Sequence, residues 1–157
     1  MKKIEILLLP KYTAKGPSSR YRLYQYIPYL EKTFFVRVSP FFNDAFVNNI
    51  LKGKRKSFFL AIKALFKRAI KIIFLSAKNT KLVITEYELI PYFPSIFESI
   101  LSWKGINMIS IYDDAVFHRY DRSNNILVRL FLKNKIKNVM NKSSAVIVGN
   151  KYLEKYA

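Results

Sequence analysis

Two adjacent carboxylates and the only histidine of the chain lie within one short stretch of the sequence. Asp113 and Asp114 follow an apolar run that begins at Met108, and His118 comes four residues after the second aspartate. An apolar run of this length is typical of a buried strand, and ligands of open α/β sheets bind beyond the carboxyl ends of the strands. Carboxylates there can accept hydrogen bonds from substrate hydroxyls, and one of them can serve as a general base. We therefore predict a ligand site at this strand end.

The acidic residues of the chain are few, and half of them follow two predicted strands. The sequence has 28 Lys and Arg residues but only 10 Asp and Glu residues. The carboxylates at the two strand ends belong to Glu86, Glu88, Asp113, Asp114 and Asp121. Acidic side chains are thus concentrated where a ligand of an α/β sheet would bind.

Four kinds of site could use these residues, and two of them fit poorly. A phosphoacceptor receiver domain would have an acidic pair after its first strand, where this chain has Pro10. A metal site is not expected, because adjacent aspartates on one turn rarely both reach the same ion. A nucleic-acid site is favoured by basic charge and aromatic residues, although the sequence has no RRM, KH or helix-turn-helix pattern. A sugar or polyol site is favoured by carboxylates with Lys and Arg nearby.

The composition is that of a folded and strongly basic protein. Hydrophobic residues make up 51% of the chain, and the formal net charge is +18. Such a charge predicts attraction to nucleic acid, anionic lipid headgroups or phosphorylated substrates. The absence of cysteine excludes a disulfide framework and fits a reducing compartment. No apolar run has the length of a signal-peptide core or of a membrane span.

Five short apolar runs predict β-strands, and helical patterns separate them. The strands are predicted at residues 4–9, 34–38, 81–85, 108–111 and 145–148, and the main helices at 20–32, 54–78, 97–103 and 123–141. Pro28 predicts a kink or a late start in the first of these helices, and Ser123 is the expected cap of the helix at 123–141. The alternation of strands and helices predicts an α/β fold: a Rossmann-like, three-layer α/β/α domain with a parallel sheet of about five or more strands.

The loop after the first strand contains Gly16, Ser18 and Ser19. Gly16 frees the backbone, and either serine can cap a helix that begins near Arg20 and leave its amide groups pointing outward. The loop is therefore either an anion cradle or an ordinary capped turn between a strand and a helix. It has too few glycines for a dinucleotide fingerprint or a P-loop.

The predicted helix at 54–78 is basic on one side and apolar on the next. At 100° per residue, one stripe carries Lys56, Lys63, Lys67, Lys71 and Lys78, and the neighbouring face carries Phe59, Ile62, Phe66, Ala69, Ile70 and Ile73. A helix of this kind can lie on an anionic membrane, with lysines on the headgroups and aromatic rings below them. The alternative is a helix that packs its apolar face on the sheet and leaves its basic side in water.

Four blocks of the sequence together resemble the amino-terminal domain of the family 4 (group 1) glycosyltransferases. They are LLPKYTAKGPSSRYR at residues 8–22, ELIPYFP at 88–94, YDDAVF at 112–117 and AVIVGN at 145–150. Their order and spacing match the family over nearly the whole chain. The resemblance implies a GT-B enzyme, in which two Rossmann-like domains face each other across a cleft.

On this resemblance, residues 1–157 are the amino-terminal, acceptor-side domain, and the carboxyl-terminal domain that holds the nucleotide-sugar is absent from the chain. The chain would then be the acceptor-binding half of an enzyme that moves a sugar to a cell-surface glycan or a lipid-linked acceptor, and it would be inactive alone. The family acts without a bound metal ion, and no cofactor is expected besides the nucleotide-sugar donor. The resemblance also implies a peripheral position on the inner, cytoplasmic face of the cytoplasmic membrane, with no nucleic acid as partner.

The resemblance assigns roles to individual residues. Asp113, Asp114 and His118 are the expected catalytic residues, and Glu88 and Tyr112 are expected to bind the acceptor. Four residues are expected to face the donor phosphates: Gly16, Ser18, Ser19 and Asn150. The residues expected to face the membrane are Lys63, Lys67 and Lys71. The rival hypothesis is a stand-alone basic binding module for nucleic acid or anionic lipid.

Overall fold

The computed structural model describes residues 3–53 and 58–157, which form one five-stranded parallel sheet flanked by helices. The strands are β1 (Glu5–Leu9), β2 (Phe35–Val38), β3 (Thr80–Glu86), β4 (Asn107–Tyr112) and β5 (Ala145–Val148). Their order across the sheet is β2-β1-β3-β4-β5, and each neighbouring pair is parallel. The predicted Rossmann-like α/β fold is confirmed.

The described helices are mostly short. They are α1 (Pro17–Arg22), α2 (Ile27–Leu30), α3 (Asp44–Leu51), α4 (Phe58–Ile73), α5 (Ile96–Trp103), α6 (His118–Asp121), α7 (Ile126–Leu132), α8 (Lys135–Asn141) and α9 (Lys151–Tyr156), with a 3₁₀ turn at Tyr24–Tyr26. The prediction of a single helix at 20–32 is wrong, because the chain there forms α1, the 3₁₀ turn and α2. Pro28 lies in the first turn of α2, where proline is tolerated because the helix needs no N–H donor.

The prediction of one helix at 123–141 is wrong in two respects. The segment forms two helices, α7 and α8, and the cap of α7 is Asn125 rather than Ser123. The Asn125 side-chain oxygen accepts hydrogen bonds from the backbone N–H groups of Leu127 and Val128. The backbone of Asn125 is extended just before the helix, which is the geometry that lets a short polar side chain reach those donors.

Alternate residues of each strand face different layers, because successive side chains of a strand point to opposite faces. On one face, the side chains of Leu7, Leu9, Val83 and Met108 pack with Ile72, Leu101 and Val139 from α4, α5 and α8. On the other face, α1 and α2 lie beside Ile84, Ile111 and Ile147. A second apolar cluster joins the loop after β4 to α8 and α9 through Phe117, Tyr120, Ile136 and Leu153.

The order of the strands creates a switch point beside β1. The chain leaves β1 toward β2 on one side and returns to β3 on the other, so the loops after β1 and β3 diverge. Ligands of open α/β sheets bind in the crevice at such a point, outside the carboxyl ends of the strands. The carboxylates predicted from the sequence follow β3 and β4 and therefore lie at this edge.

A buried ion pair holds the loop after β3 against α8. The Lys135 ammonium nitrogen lies 2.5 Å from Glu88 Oε2, and both side chains are almost completely buried. The Tyr120 hydroxyl donates to the same carboxylate, 2.6 Å from Glu88 Oε1. Lys135 also donates to the carbonyl of Ile90. Glu88 is thus fixed inside the domain by a cation and a hydroxyl.

A second buried glutamate gives a testable pH dependence. Glu98 is 2% exposed and accepts a hydrogen bond from the Leu89 N–H at 3.0 Å, and burial raises the pKa of its carboxyl above the ordinary 4.5. Folding then favours the neutral acid. That contribution is complete below pH 4.5 and is lost as the pH rises through the pKa of the folded protein. The variant Glu98→Gln should therefore gain stability relative to the wild type as the pH rises.

Urea unfolding of the wild type and Glu98→Gln at a series of pH values from 4 upward measures this difference. The matched control is Glu31→Gln, the same change at an exposed position, which should shift stability equally at every pH. A wild-type to Glu98→Gln difference that is also constant with pH would contradict the prediction.

Candidate functional site

Glu86, the last residue of β3, fastens the loop after β1 to the sheet. Its side chain is fully buried, and Oε2 accepts hydrogen bonds from the Lys11 N–H at 3.0 Å and the Ser19 hydroxyl at 2.8 Å. In the described part of the chain its other oxygen, Oε1, is buried without a hydrogen-bond partner. Burial raises the pKa of the carboxyl. Glu86 therefore positions α1 and keeps one buried acceptor atom without a partner among the described residues.

Tyr87 has a left-handed backbone (φ 63°), which non-glycine residues adopt with strain that other contacts must offset. Two contacts hold it there. Its N–H donates to the Ile111 carbonyl at 3.0 Å, and its own carbonyl accepts from the Tyr112 hydroxyl at 2.7 Å. Since strain of this kind collects at functional sites, Tyr87 is a candidate site residue that the sequence did not reveal.

The Tyr87 phenol reaches both aspartates after β4. Its hydroxyl lies 2.6 Å from Asp113 Oδ1 and 3.2 Å from Asp114 Oδ2. Burial raises the pKa of the phenol, and the hydrogen bond to Asp113 raises it further. The hydroxyl therefore stays protonated and donates to the carboxylates.

Arg22, the last residue of α1, joins the same cluster. Its guanidinium forms an ion pair with Asp113, lies 3.8 Å from Glu86 Oε2, and sits 5.0 Å from the centre of the Tyr87 ring. The Asp113 side chain remains 42% exposed although the arginine is largely buried. One carboxylate is thus held in a fixed orientation and still open to a ligand, which is what recognition of hydroxyl groups requires.

The loop after β5 lies against this cluster. The Gly149 N–H donates to the Tyr112 carbonyl at 2.9 Å, and a Cβ at Gly149 would lie 3.4 Å from the Asp113 Cα. Asn150 caps α9, because its side-chain oxygen accepts from the Leu153 N–H at 2.9 Å. The predicted phosphate-facing Asn150 therefore already has a structural role, and its exposed amide group is what remains for a ligand.

The loop after β1 differs from the prediction at its serines. The helix begins at Pro17 rather than near Arg20, and its cap is Gly16, which has no side chain to bond to the first turn. Ser19 is completely buried and accepts from the Tyr12 N–H at 3.0 Å while it donates to Glu86, so capping by Ser18 or Ser19 was a wrong prediction. Proline is favoured at the first helical position, so the helix starts at an earlier residue than predicted. A Cβ at Gly16 would lie 2.5 Å from the Tyr12 Cβ, so this close approach requires glycine.

The remaining predicted residues lie beside the cluster rather than in it. His118 begins α6, with Nδ1 3.1 Å from both carboxylate oxygens of Asp121 and Nε2 2.9 Å from the Tyr152 hydroxyl. Glu88 is 5% exposed inside the ion pair with Lys135. Tyr112 is 1% exposed and acts on Tyr87 through its hydroxyl. Glu88 and Tyr112 thus shape the loop after β3 from inside the domain.

An open pocket of about 480 Å³ runs from Asp113 along the face of the sheet that carries α1 and α2. Its floor is apolar and its wall is aromatic, as its main lining residues show: Tyr21, Arg22, Tyr26, Tyr29, Ile84, Ile111 and Ile147. Pockets of this volume that combine apolar walls with a few polar groups are typical ligand sites. A larger cavity of about 590 Å³ lies among the amino ends of the strands, where ligands of such sheets do not usually bind.

The outer side of α4 is apolar and basic. The helix packs on the sheet through Ala64, Arg68 and Ile72, whereas the predicted apolar face is largely exposed, at 83% for Phe59 and 65% for Phe66. We call the α4 surface the exposed side chains Phe58, Phe59, Lys63, Phe66, Lys67, Ile70 and Ile73, with Phe74 and Trp103 next to them and Lys71 half-buried. Most of the predicted apolar face is therefore left in solvent, although α4 itself packs on the sheet as the alternative predicted.

Three details of the predicted basic helix change. Its first residues, including Lys56, lie outside the described residues, and Lys78 follows the helix in a turn, because α4 ends at Ile73. Arg68 points inward and donates to the Ser39 carbonyl at 2.9 Å, and burial lowers its pKa to about 9. Burial also lowers the pKa of Lys71.

The described residues offer neither a ready metal site nor a membrane-spanning helix. Within residues 3–53 and 58–157, no group of three or more His, Asp or Glu residues is placed to hold a metal ion. None of the helices in these ranges has the length and hydrophobicity to cross a membrane. The cluster at the strand ends consists of carboxylates, one guanidinium and a phenol hydroxyl.

Comparisons with protein-family models, curated proteins and solved structures found no match to this chain. The resemblance to family 4 glycosyltransferases therefore depends on the four sequence blocks alone and stays a prediction. The structure shows the fold and the position of the carboxylates.

Proposed function

We propose that this domain is the acceptor-binding half of a glycosyltransferase that works with a separate nucleotide-sugar domain at an anionic membrane surface. One observation carries the proposal. Asp113 is an exposed carboxylate at the switch-point edge of the sheet, and Arg22 and the Tyr87 hydroxyl hold its two oxygens in place. A carboxylate that is fixed but open can orient a sugar hydroxyl and accept its proton.

The carboxylates would divide the work. Each oxygen of Asp113 keeps a lone pair beyond its contacts with Arg22 and Tyr87, so an acceptor hydroxyl can donate to it. Asp114, which is exposed, is the next acceptor along the edge. As the acceptor oxygen forms its bond to the donor sugar, the bond from that sugar to the nucleotide diphosphate breaks, and the hydroxyl proton passes to the carboxylate.

The other predicted residues take supporting roles in the proposal. Glu88 and Tyr112 position the loop that carries Tyr87, and Tyr112 also lines the pocket beside Asp113, where the acceptor would bind. His118, held between Asp121 and Tyr152, would contact the reacting sugar from the α6 side. Gly16, Ser18, Ser19 and Asn150 belong to the loops after β1 and β5, which would face the donor phosphates across the cleft. Among these, Ser19 supports the loop after β1 from inside the domain, because its side chain is buried against Glu86.

The α4 surface supports the membrane part of the proposal. Its aromatic and aliphatic side chains are exposed next to Lys63, Lys67 and Lys71, and the chain carries a net charge of +18. Apolar side chains beside lysines are the features with which peripheral proteins bind anionic bilayers. The domain would lie on the inner face of the cytoplasmic membrane, where a glycan or lipid-linked acceptor can reach Asp113.

The variant Asp113→Asn tests the acceptor site. It keeps the size of the side chain but removes the charge, so we expect the affinity for glycan acceptors to fall by about tenfold, the value of one charge-assisted hydrogen bond. Calorimetric titration with a panel of oligosaccharides and polyprenyl-phosphate sugars measures it. The control Asp44→Asn makes the same change at an exposed ion pair with Lys15, outside the Arg22 cluster. Equal affinities of the wild type and Asp113→Asn would contradict the proposal.

The net charge favours a second candidate, a basic binding module for nucleic acid or anionic lipid. Such a module would bind through its lysine faces and would leave the carboxylates after β3 and β4 without a ligand. The two candidates therefore differ in which edge of the domain makes contact.

A further inference from the structure

A second opening lies near the switch point, between the loop after β1 and the loop that follows β3. We call this opening the aromatic groove; it has a volume of about 330 Å³. Its apolar wall consists of Tyr12, Phe41, Phe42, Phe46, Ala61 and Leu65, and the last two belong to α4. Pro91 and Tyr92 line the other side, and Lys11 and Arg119 supply the positive charge.

The walls of the aromatic groove are held in place by their own packing. The ring of Phe42 stacks on Phe46 with centroids 3.8 Å apart, and on Tyr12 at 5.8 Å. Across the groove, the Tyr92 N–H donates to the Tyr120 hydroxyl at 3.1 Å, which fixes the loop against the buried Glu88. A groove that already has its bound shape loses little entropy when a ligand enters.

The charges of the aromatic groove lie together. The Lys11 ammonium is 5.2 Å from the centre of the Tyr12 ring, and Arg119 is half-buried with a guanidinium nitrogen 3.5 Å from Glu88 Oε1. A cavity of about 20 Å³ next to them, large enough for one water molecule, is also lined by the buried Arg68. Three cations thus surround a space that contains Glu86 and Glu88 as the acidic groups, which leaves a net positive charge.

We propose that the aromatic groove binds a single hydrocarbon chain that ends in a phosphate, with the chain along the aromatic wall and the phosphate on Lys11 and Arg119. Charge complementarity selects the phosphate. The aromatic wall selects the hydrocarbon chain, because the described lining residues include no Asn, Gln, Ser, Thr, Asp or Glu. A nucleotide base would bury donors and acceptors there with only two tyrosine hydroxyls to pair with them, which is unfavourable.

The position of the groove explains how such a ligand would arrive. Ala61 and Leu65 line the groove from one side of α4, and the α4 surface with its lysines occupies the outer side of the same helix. An amphiphile in a bilayer that contacts the α4 surface would therefore lie within about 10–12 Å of the groove, the diameter of the helix between them. This inference rests on the proposed function, in which the amphiphile is the lipid-linked acceptor whose sugar end approaches Asp113.

Titration with decyl phosphate below its micelle concentration, followed by amide NMR shifts, tests the site. We expect shifts at Tyr12, Phe42, Tyr92 and Arg119. We also expect at least about tenfold weaker binding of inorganic phosphate, uridine monophosphate and a nonionic decyl polyglycol ether, since each lacks one of the two recognised groups. Tighter binding of the nucleotide at these residues would overturn the proposal. So would decyl phosphate shifts confined to Lys63, Lys67 and Lys71 on the α4 surface.

Two variants with matched controls distinguish recognition of the hydrocarbon chain from recognition of the phosphate. Ala61→Phe fills the groove and Arg119→Gln removes one cation, and each should weaken decyl phosphate by about tenfold. The controls make the same changes at exposed positions elsewhere, Ala145→Phe on β5 and Arg129→Gln on α7, and should bind normally. Arg119→Gln should bind the nonionic ether as the wild type does, which shows that it is folded. Unchanged affinity of decyl phosphate in both groove variants would overturn the proposal.

The groove and the carboxylate site can fail separately. If decyl phosphate binds as expected while glycans never perturb Asp113, the groove proposal stands and the glycosyltransferase proposal fails. If glycans bind through Asp113 while decyl phosphate does not enter the groove, only the groove proposal fails.

Discussion

The variant Lys135→Met should lower the free energy of unfolding by about 3–5 kcal/mol, the cost of leaving one member of a buried ion pair without its partner. Lys135 lies 2.5 Å from Glu88 Oε2, and the side chains of the two residues are 1% and 2% exposed. Arg119, at 3.5 Å from the other carboxylate oxygen, and the Tyr120 hydroxyl stay in place, so the loss should lie toward the lower end. Urea unfolding at neutral pH measures it.

Two controls assign this loss to the buried pair. Lys137→Met makes the same change at an exposed position of α8 and should cost less than about 0.5 kcal/mol. The double variant Glu88→Gln with Lys135→Met removes both charges and keeps an acceptor for Tyr120, so it should be more stable than Lys135→Met alone. A Lys135→Met protein as stable as Lys137→Met would show that the pair does not hold the loop after β3.

Reversing the charge at Lys63, Lys67 and Lys71 should weaken binding to anionic vesicles at least about a hundredfold. A lysine near an anionic surface contributes about 1 kcal/mol, so three of them account for about 3 kcal/mol before any repulsion from the new glutamates. Sedimentation with phosphatidylcholine vesicles, with and without phosphatidylglycerol, measures the partition. Neutral vesicles should bind the variant and the wild type almost equally.

The control must carry the same net charge, because a protein of charge +18 is attracted to any polyanion. Lys133 follows α7, and Lys151 and Lys155 lie in α9. All three are exposed on elements other than α4, and their reversal to Glu gives this control. We expect it to bind far better than the α4 variant. Changing Phe59 and Phe66 to Ser should weaken binding without affecting stability, since both rings are exposed. Equal binding of the two triple variants would exclude the α4 surface as the membrane contact.

The sheet was predictable from the sequence because its strands are short apolar runs bounded by breakers. The run that ends at Pro10 became β1, and the run before Asp113 became β4, each within two residues of its predicted ends. The helices were less predictable at their ends, since several cap candidates compete locally. Asn125 rather than Ser123 starts α7 for this reason, and the choice depends on backbone geometry that composition does not encode.

The candidate site was predictable only in its carboxylates. Asp113 and Asp114 directly follow a strand, so the chain itself places them at the sheet edge. Arg22 reaches Asp113 across 91 positions of the sequence, and no local pattern announces such a contact. Tyr87 was hidden by its left-handed backbone, which depends on the Tyr112 hydroxyl. The one available signal was indirect: Tyr87 stands between Glu86 and Glu88, directly after an apolar strand.

The most direct test of the central claim is an NMR titration of this chain with glycan acceptors, nucleotide-sugars and a single-stranded oligonucleotide, recording which amides shift. The acceptor-half proposal predicts shifts at Asp113, Asp114 and Tyr87 with glycan or lipid-linked acceptors, and weak or no binding of nucleotide-sugars. Shifts confined to the lysine faces with the oligonucleotide, with no response of the strand ends to any acceptor, would contradict it and favour the basic binding module.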